Sequence, residues 1–491
     1  MSTLQEKEFS TRFARYESEL RWLYMNLYHS ESQGWQQFIT MLRRMYDERP
    51  EKLRERDRVR EANPEWYRRR DLNAVQLYTA RFAGNFAGLE QRLDYLEEIG
   101  VTCLSLMPVM QTPEGRSDGG FAVSDHRQTR TDLGTMDDFR HLTEVCHERG
   151  MLIGTDFTLN HVSDEHEWAR RARAGEAEYQ ERFFMFDTRD IPNRYEQTVP
   201  QAFPTSAPGN FTWDEASRKI VLTTFYSYQW DLNYRNHQVL NDMIENLLFL
   251  ANCGVDLVRL GSLPIIWKEL GTSCRNLPQV HTITRIVRIA TEIVCPGTLL
   301  LGEVISAPEQ VIPYFGTSSH PECHLLYNNA LMATVWNTTA TRDARLLKHL
   351  LEQLFALPYE TTFLNFLRSN DDIGWTLDYD FLSSLGQGEV SHKQFLNSYM
   401  TGAYPDSPAR GEMYQPDVVR NDARICGTTA SLCGVEAALQ RGNADALRSA
   451  VDLDNMLHAL MLTISGVPEL YSGDELGRLN DYSYHNDPAK A

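Results

Sequence analysis

Four times the chain repeats one unit: an amphipathic helix, a glycine, then a short run that is apolar on both faces. "LEQRLDYLEEIG" runs into "VTCLSLMPV", "MDDFRHLTEVCHERG" into "MLIGTDF", "VLNDMIENLLFLANCG" into "VDLVRL", and "TRIVRIATEIVCPG" into "TLLLGEV". The helical period ends at a glycine suited to a left-handed C-cap, and a strand apolar on both faces must be covered on both, as in a parallel sheet. Further strands are expected at "NAVQLY", "HLLYNN", "TTFLNFLR" and "VPELYSG", which makes eight. An eight-fold α/β alternation favours a (β/α)8 TIM barrel over the alternative, a doubly wound open sheet.

Residues 1–72 have another texture. "FARYESELRWLYMNLY" and "WQQFITMLRRMY" space aromatic and aliphatic side chains at helical intervals, and "PEKLRERDRVREANPEWYRRRD" reads as a charged connector. The expectation is a separate helical N-terminal domain at 1–72, followed by the barrel at 73–491. Two long stretches interrupt the alternation: 161–236, rich in aromatics and proline and placed after the third strand, and 372–443 after the seventh. Insertions after barrel strands wall the catalytic face.

A 42% hydrophobic content is ordinary for a folded chain, while 48 basic against 67 acidic residues give a formal charge of −19. Such a surface repels phosphate backbones and anionic lipid, so neither nucleic acid nor membrane is an expected partner. "MSTLQEKEFSTRF" lacks the apolar core of a signal peptide, and a cytoplasmic protein is expected. The eight cysteines include no C-x-x-C pair and several lie in apolar runs, which favours buried free thiols. No cofactor, metal cluster or calcium loop is signalled.

Groups just after barrel strands converge on one cavity. Here they are Asp118, Asp156, Asn160, His161, Arg259, Glu303, Asn370, Asp371 and Asp372. Paired carboxyl groups with aromatic neighbours (Phe121, Phe211, Trp213, Phe225, Tyr228, Trp230) fit glycosidic chemistry, in which a protonated acid assists the leaving oxygen and a second carboxylate attacks the sugar carbon. The blander reading is that an acid after a strand caps a helix and that aromatics in an insertion form its own small core.

The motifs "DGGFAVSDHRQTRTDLGTMDDF", "DFTLNHVSDEHEWARRARAGEAEYQ", "PGNFTW", "TTFYSYQWDLNY", "GVDLVRL", "FLRSNDDIGWT" and "LYSGDELGRLNDYSY" together resemble the amylosucrases of the alpha-amylase superfamily, glycoside hydrolase family thirteen, from about residue 73 to the end. The resemblance implies a helical N-terminal domain, a barrel with two inserted subdomains, and transfer of glucose from sucrose to an α-glucan or water through a covalent glucosyl enzyme. It implies Asp118, Phe121 and His161 as glucose contacts and Arg259 as the residue orienting the nucleophile. Glu303 is the implied acid/base and Asp371 the transition-state carboxylate, with Asn370 and Asp372 beside it and Lys393 and Arg424 on the acceptor side.

The departures bear on activity. The nucleophilic Asp of that pattern is here Gly261; Asn370, Phe121 and Lys393 stand where the family has His, Tyr and Arg; and the chain stops at "YHNDPAKA", before the family's C-terminal β-sandwich, which is expected to be absent. The expectation is an amylosucrase-like protein, catalytically defective at Gly261, that binds sucrose or α-glucan. The alternatives are an active glucosyltransferase or hydrolase with a displaced or external nucleophile, and a non-catalytic scaffold.

Overall fold

The computed structural model describes residues 3–29, 33–115, 118–417 and 422–486. Each of the eight apolar runs forms a strand: β1 (Ala74–Leu77), β2 (Cys103–Leu106), β3 (Leu152–Thr158), β4 (Leu257–Gly261), β5 (Leu299–Gly302), β6 (Leu325–Tyr327), β7 (Phe363–Asn365) and β8 (Val467–Tyr471). All pair in parallel, and β1 bonds to both β2 and β8, so the sheet closes into a barrel and the open-sheet alternative is excluded.

The helices α1 (Thr3–Tyr28), α2 (Gln33–Glu48) and α3 (Glu51–Glu61) precede the barrel. Their Phe9, Leu20, Tyr24, Trp35 and Phe38 belong to one apolar cluster with barrel residues such as Val75, Val258 and Ile286, so they share the barrel's core. The first half of the charged stretch read as a connector is helix α3, and its charges are paired with the rest of the fold: Asp57 is gripped by Arg49 through two bonds of 2.5 and 2.7 Å, and Arg60 reaches Asp256 at 2.7 Å.

Outside the barrel, α4 (Met136–Glu148) starts with a reciprocal Thr135/Asp138 capping box, while α5 (His237–Asn252) and α6 (Pro278–Val294) carry α2 and α1 on their outer faces. Gly254 joins α5 to β4 at φ +101°, and a Cβ there would lie 2.5 Å from Thr143 Oγ1, so both conformation and space require glycine. Alternation along β4 turns Val258 and Leu260 outward into the helical layer and Leu257, Arg259 and Gly261 into the barrel.

Between β3 and α5 the chain forms a two-stranded ladder, His161–Ser163 with Gln229–Asp231, and a three-stranded sheet of Met185–Phe186, Lys219–Leu222 and Phe211–Asp214. After β7 a hairpin, Glu412–Asp417 with Asp422–Cys426, is tied back through Ile373 and Ile425. The thiols are free, and all but that of Cys426 are buried. Among the described residues no helix is long and apolar enough to cross a membrane. The final residues, 487–491, on which the expectation about the chain's end falls, lie outside the described residues.

Candidate active site

Strand register brings the central groups together. Arg259 on β4 is level with Asp156 on β3, and Leu260 is level with Gly302 on β5, so Glu303 emerges one residue above. The guanidinium of Arg259, 4% exposed, binds Asp156 through Nη1, and its Nη2 donates to Glu303 Oε1 at 2.5 Å and to Asp371 Oδ2 at 3.3 Å. Glu303 is gripped from the other side as well, where the backbone N–H of Ser262 donates to Oε2 at 2.5 Å. Ser262 presents that N–H from a left-handed conformation, φ +54°, which is uncommon outside glycine.

Three acids therefore share one buried cation. Burial and the charge of Glu303 push Asp371 well above the usual carboxylate range, against the pull of Arg259. Asp156 is also pushed upward by burial, against the pull of Arg259. Glu303 accepts from N–H donors at both oxygens, an arrangement that suits a carboxylate.

Gly261 lies beside this cluster at the inner end of β4. Its backbone is not left-handed, and a Cβ built on it meets nothing nearer than Asp156 Oδ2 at 3.5 Å and Arg259 Nη1 at 3.6 Å. Neither conformation nor crowding demands glycine there.

His161 is buried at the base of the first insertion, its ring edge-on to Phe225 at 5.3 Å. Burial lowers its pKa to about 4, so the ring is neutral, and its buried Nε2 has no hydrogen-bond partner in the protein. Behind it Lys268 binds Asp231 at 2.7 Å and Asn160 Oδ1 at 2.8 Å, a buried network that fixes the segment carrying the ring. Asp118 accepts from the N–H groups of Gly120 and Ala122 and from Gln229, so part of its capacity is spent shaping its own loop. Phe121 has its ring 5.8 Å from the Arg259 guanidinium.

The remaining expected residues form an outer rank. Asn370 donates its N–H to Gln76 and its side-chain amide to Asp371; Asp372 pairs with Arg424 at 3.0 Å, and Arg424 also reaches Ala202 O in the first insertion. Lys393 does not join them: Asp422 at 2.7 Å and Glu389 at 3.0 Å hold its ammonium within the second insertion. Of the aromatics, Phe211 and Trp230 are buried in insertion packing, as the blander reading has it, whereas Trp213 is exposed.

Sequence reasoning missed four inward residues. Tyr78, one residue past β1, faces Phe121 across Gly119, where a Cβ would lie 2.9 Å from both rings' outer atoms. Gln76 and Tyr327 hydrogen-bond in the floor, and Glu469 is buried below them. Neither oxygen of Glu469 has a hydrogen-bond partner, and burial pushes it up to about 8, so it is a neutral acid at pH 7. The only signal was place: each stands at an inward position of an apolar strand run or at its end.

Set beside known proteins, the chain matches the family model for the alpha-amylase catalytic domain over residues 33–372. A trehalose synthase/amylase of Mycolicibacterium smegmatis is 30% identical over 400 residues, covering 80% of this chain and 60% of that protein. A glucosylglycerate phosphorylase of Escherichia coli is 29% identical over 367 residues, 75% of this chain and 61% of that protein, so the chain spans about three fifths of each relative's length. Among solved structures, sucrose 6F-phosphate phosphorylase from Thermoanaerobacter thermosaccharolyticum superposes with a TM-score of 0.67 at 20% identity, over 85% of this chain and 80% of that one, a likeness of fold.

Proposed function

Since the chain belongs to the alpha-amylase family, we propose that its barrel cavity binds the glucosyl unit of a small α-glucoside and does not hydrolyse or transfer it by double displacement. The observation that carries this reading is Gly261: it stands inward beside Arg259, Glu303 and Asp371, where the retaining route needs a carboxylate on the opposite face of the sugar from the acid. A glycine offers a hydrogen atom there, and no glucosyl ester forms on it.

Binding is the more robust half of the site. His161 keeps a buried Nε2 without a hydrogen-bond partner, Arg259 is fixed by three acids, and Tyr78 and Phe121 supply ring faces on which a sugar can stack. The relatives' names include trehalose synthase and glucosylglycerate phosphorylase, which fits a ligand made of glucose joined to a small partner. The narrower amylosucrase-like reading makes sucrose the first ligand to try.

The test is a thermal-unfolding series of the purified chain with sucrose, trehalose, maltose or glucose. A ligand that prefers the folded state stabilises it by mass action, about 2.7 kcal/mol at a hundred times Kd. A saturable rise in Tm with at least one sugar, absent in His161→Phe, supports the reading. Unchanged Tm at high concentrations of all four overturns it.

A further inference from the structure

The position that interrupts the retaining route suits a different one. Glu303 is held by donors at both oxygens, Arg259 Nη2 and the Ser262 N–H, which fix the carboxyl group where it can receive the proton of an incoming hydroxyl. A retaining enzyme needs a carboxylate at the end of β4, yet Gly261 leaves ordinary van der Waals room there, the position of a Cβ lying 3.5 Å from Asp156 Oδ2 and 3.6 Å from both Arg259 Nη1 and Asp156 Oδ1.

We propose that the chain catalyses inverting glucosyl transfer from a β-configured glucosyl donor with a compact leaving group, such as a glucosyl fluoride, to the hydroxyl of a second sugar. The proposal rests on the glucoside-site reading above and adds a reaction to it.

A β leaving group points to the face where an Asp at 261 would stand, and the incoming hydroxyl approaches from the face of Glu303. The acceptor oxygen forms its bond to C1, the C1–F bond breaks with its electron pair, and fluoride departs beside Gly261 toward the N–H donors of Arg259. Glu303 takes the acceptor's proton. The product is an α-glucoside plus hydrogen fluoride, ionised in solution, and no oxidant, metal or covalent intermediate is needed. The product cannot be degraded by the same route, because its cleavage needs the carboxylate that Gly261 lacks. The negative charge of Asp156 beside the leaving group is met by the guanidinium that binds it.

The experiment uses β-D-glucosyl fluoride as donor and maltose as acceptor with the full chain. Fluoride release is followed by electrode, the product's anomeric configuration by proton NMR, and sucrose binding by thermal shift in parallel. The expected result is maltose-dependent fluoride release with an α-linked product, reduced at least 100-fold in Glu303→Gln and lost in Gly261→Asp, whose side chain fills the leaving-group space. Release equal to that of Glu303→Gln, with sucrose still raising Tm, overturns this inference and leaves the binding site standing. Neither release nor a sugar-dependent shift overturns both. A β-linked product also overturns it, since inversion is its content.

Discussion

Arg259 donates to Glu303 at 2.5 Å from a guanidinium that is simultaneously bound to Asp156 and Asp371, so one buried cation balances the acidic floor of the barrel. Removing one partner of a buried pair leaves the others uncompensated, at a cost of about 3–5 kcal/mol. Arg259→Met is expected to lower unfolding stability by that order at pH 7. It should lose less at pH 5, where the abandoned acids, Asp156 and Asp371 already shifted upward, take up protons more readily. Urea unfolding of both proteins at the two pH values checks this, and an equal loss at both would refute the account.

Gly261→Asp adds a carboxylate where a Cβ has ordinary contacts and the backbone allows any side chain. If the rest of the site is competent, the variant should release fructose from sucrose where the natural chain releases none above background. Losing a component of a covalent mechanism forfeits on the order of 10⁴ to 10⁶ in rate, so the gain is measurable by a coupled fructose assay. Fructose release by the natural chain that disappears in Glu303→Gln would contradict the proposed role of Gly261.

The barrel was legible in the sequence because the strand runs are apolar on both faces and four of them follow a helix that ends in a glycine, two signals local to a few residues. Arg259, Glu303 and Asp371 were legible for a related reason: a charge at the end of an apolar strand has few places to go but the cavity. Tyr78, Gln76 and Glu469 were not, since inward and outward positions of such strands look alike until register is known. The ion pairs of Lys393 with Asp422 and of Lys268 with Asp231 span 29 and 37 residues, and no local pattern announces them. The charged 51–61 stretch misled for the same reason: its Arg and Asp side chains are satisfied by partners brought up by the fold.

Burial keeps several histidines neutral, among them His161 and His126, each lowered to about 4, and His166, lowered to about 2. In the unfolded chain each takes a proton near pH 6.5. The unfolded state then binds more protons below that value, so stability is fully present above about pH 6.5 and falls as pH drops toward 4. Replacing His126, both of whose ring nitrogens lack a partner, by Phe should make this decline shallower. Unfolding free energy measured from pH 7.5 to 4.5 in both proteins gives the comparison, and parallel curves would show that His126 does not contribute.

Asp256 has the opposite chemistry with the same sign. It lies just before β4, buried, and joins the N-terminal helices to the barrel base: Arg60 at 2.7 Å and Arg56 at 3.2 Å reach it from α3, and His147 at 2.8 Å reaches it from α4. Burial works to raise its pKa, but Arg60, His147 and Arg56 outweigh that and hold it below the usual carboxylate range. A depressed carboxylate contributes stability that is present above its unfolded value, about 3.9, and lost as pH falls through the folded one. Asp256→Asn should therefore destabilise the chain at neutral pH by about 3–5 kcal/mol, because two arginines lose their buried partner. The difference from the natural protein should shrink below pH 4. Because α3 is held through this carboxylate, the loosening should begin at the N-terminus, with amide hydrogens of α3 exchanging faster than those of β4 in Asp256→Asn. Uniform acceleration across both elements would mean that Asp256 supports the barrel as a whole and does not specifically fasten the helices to it.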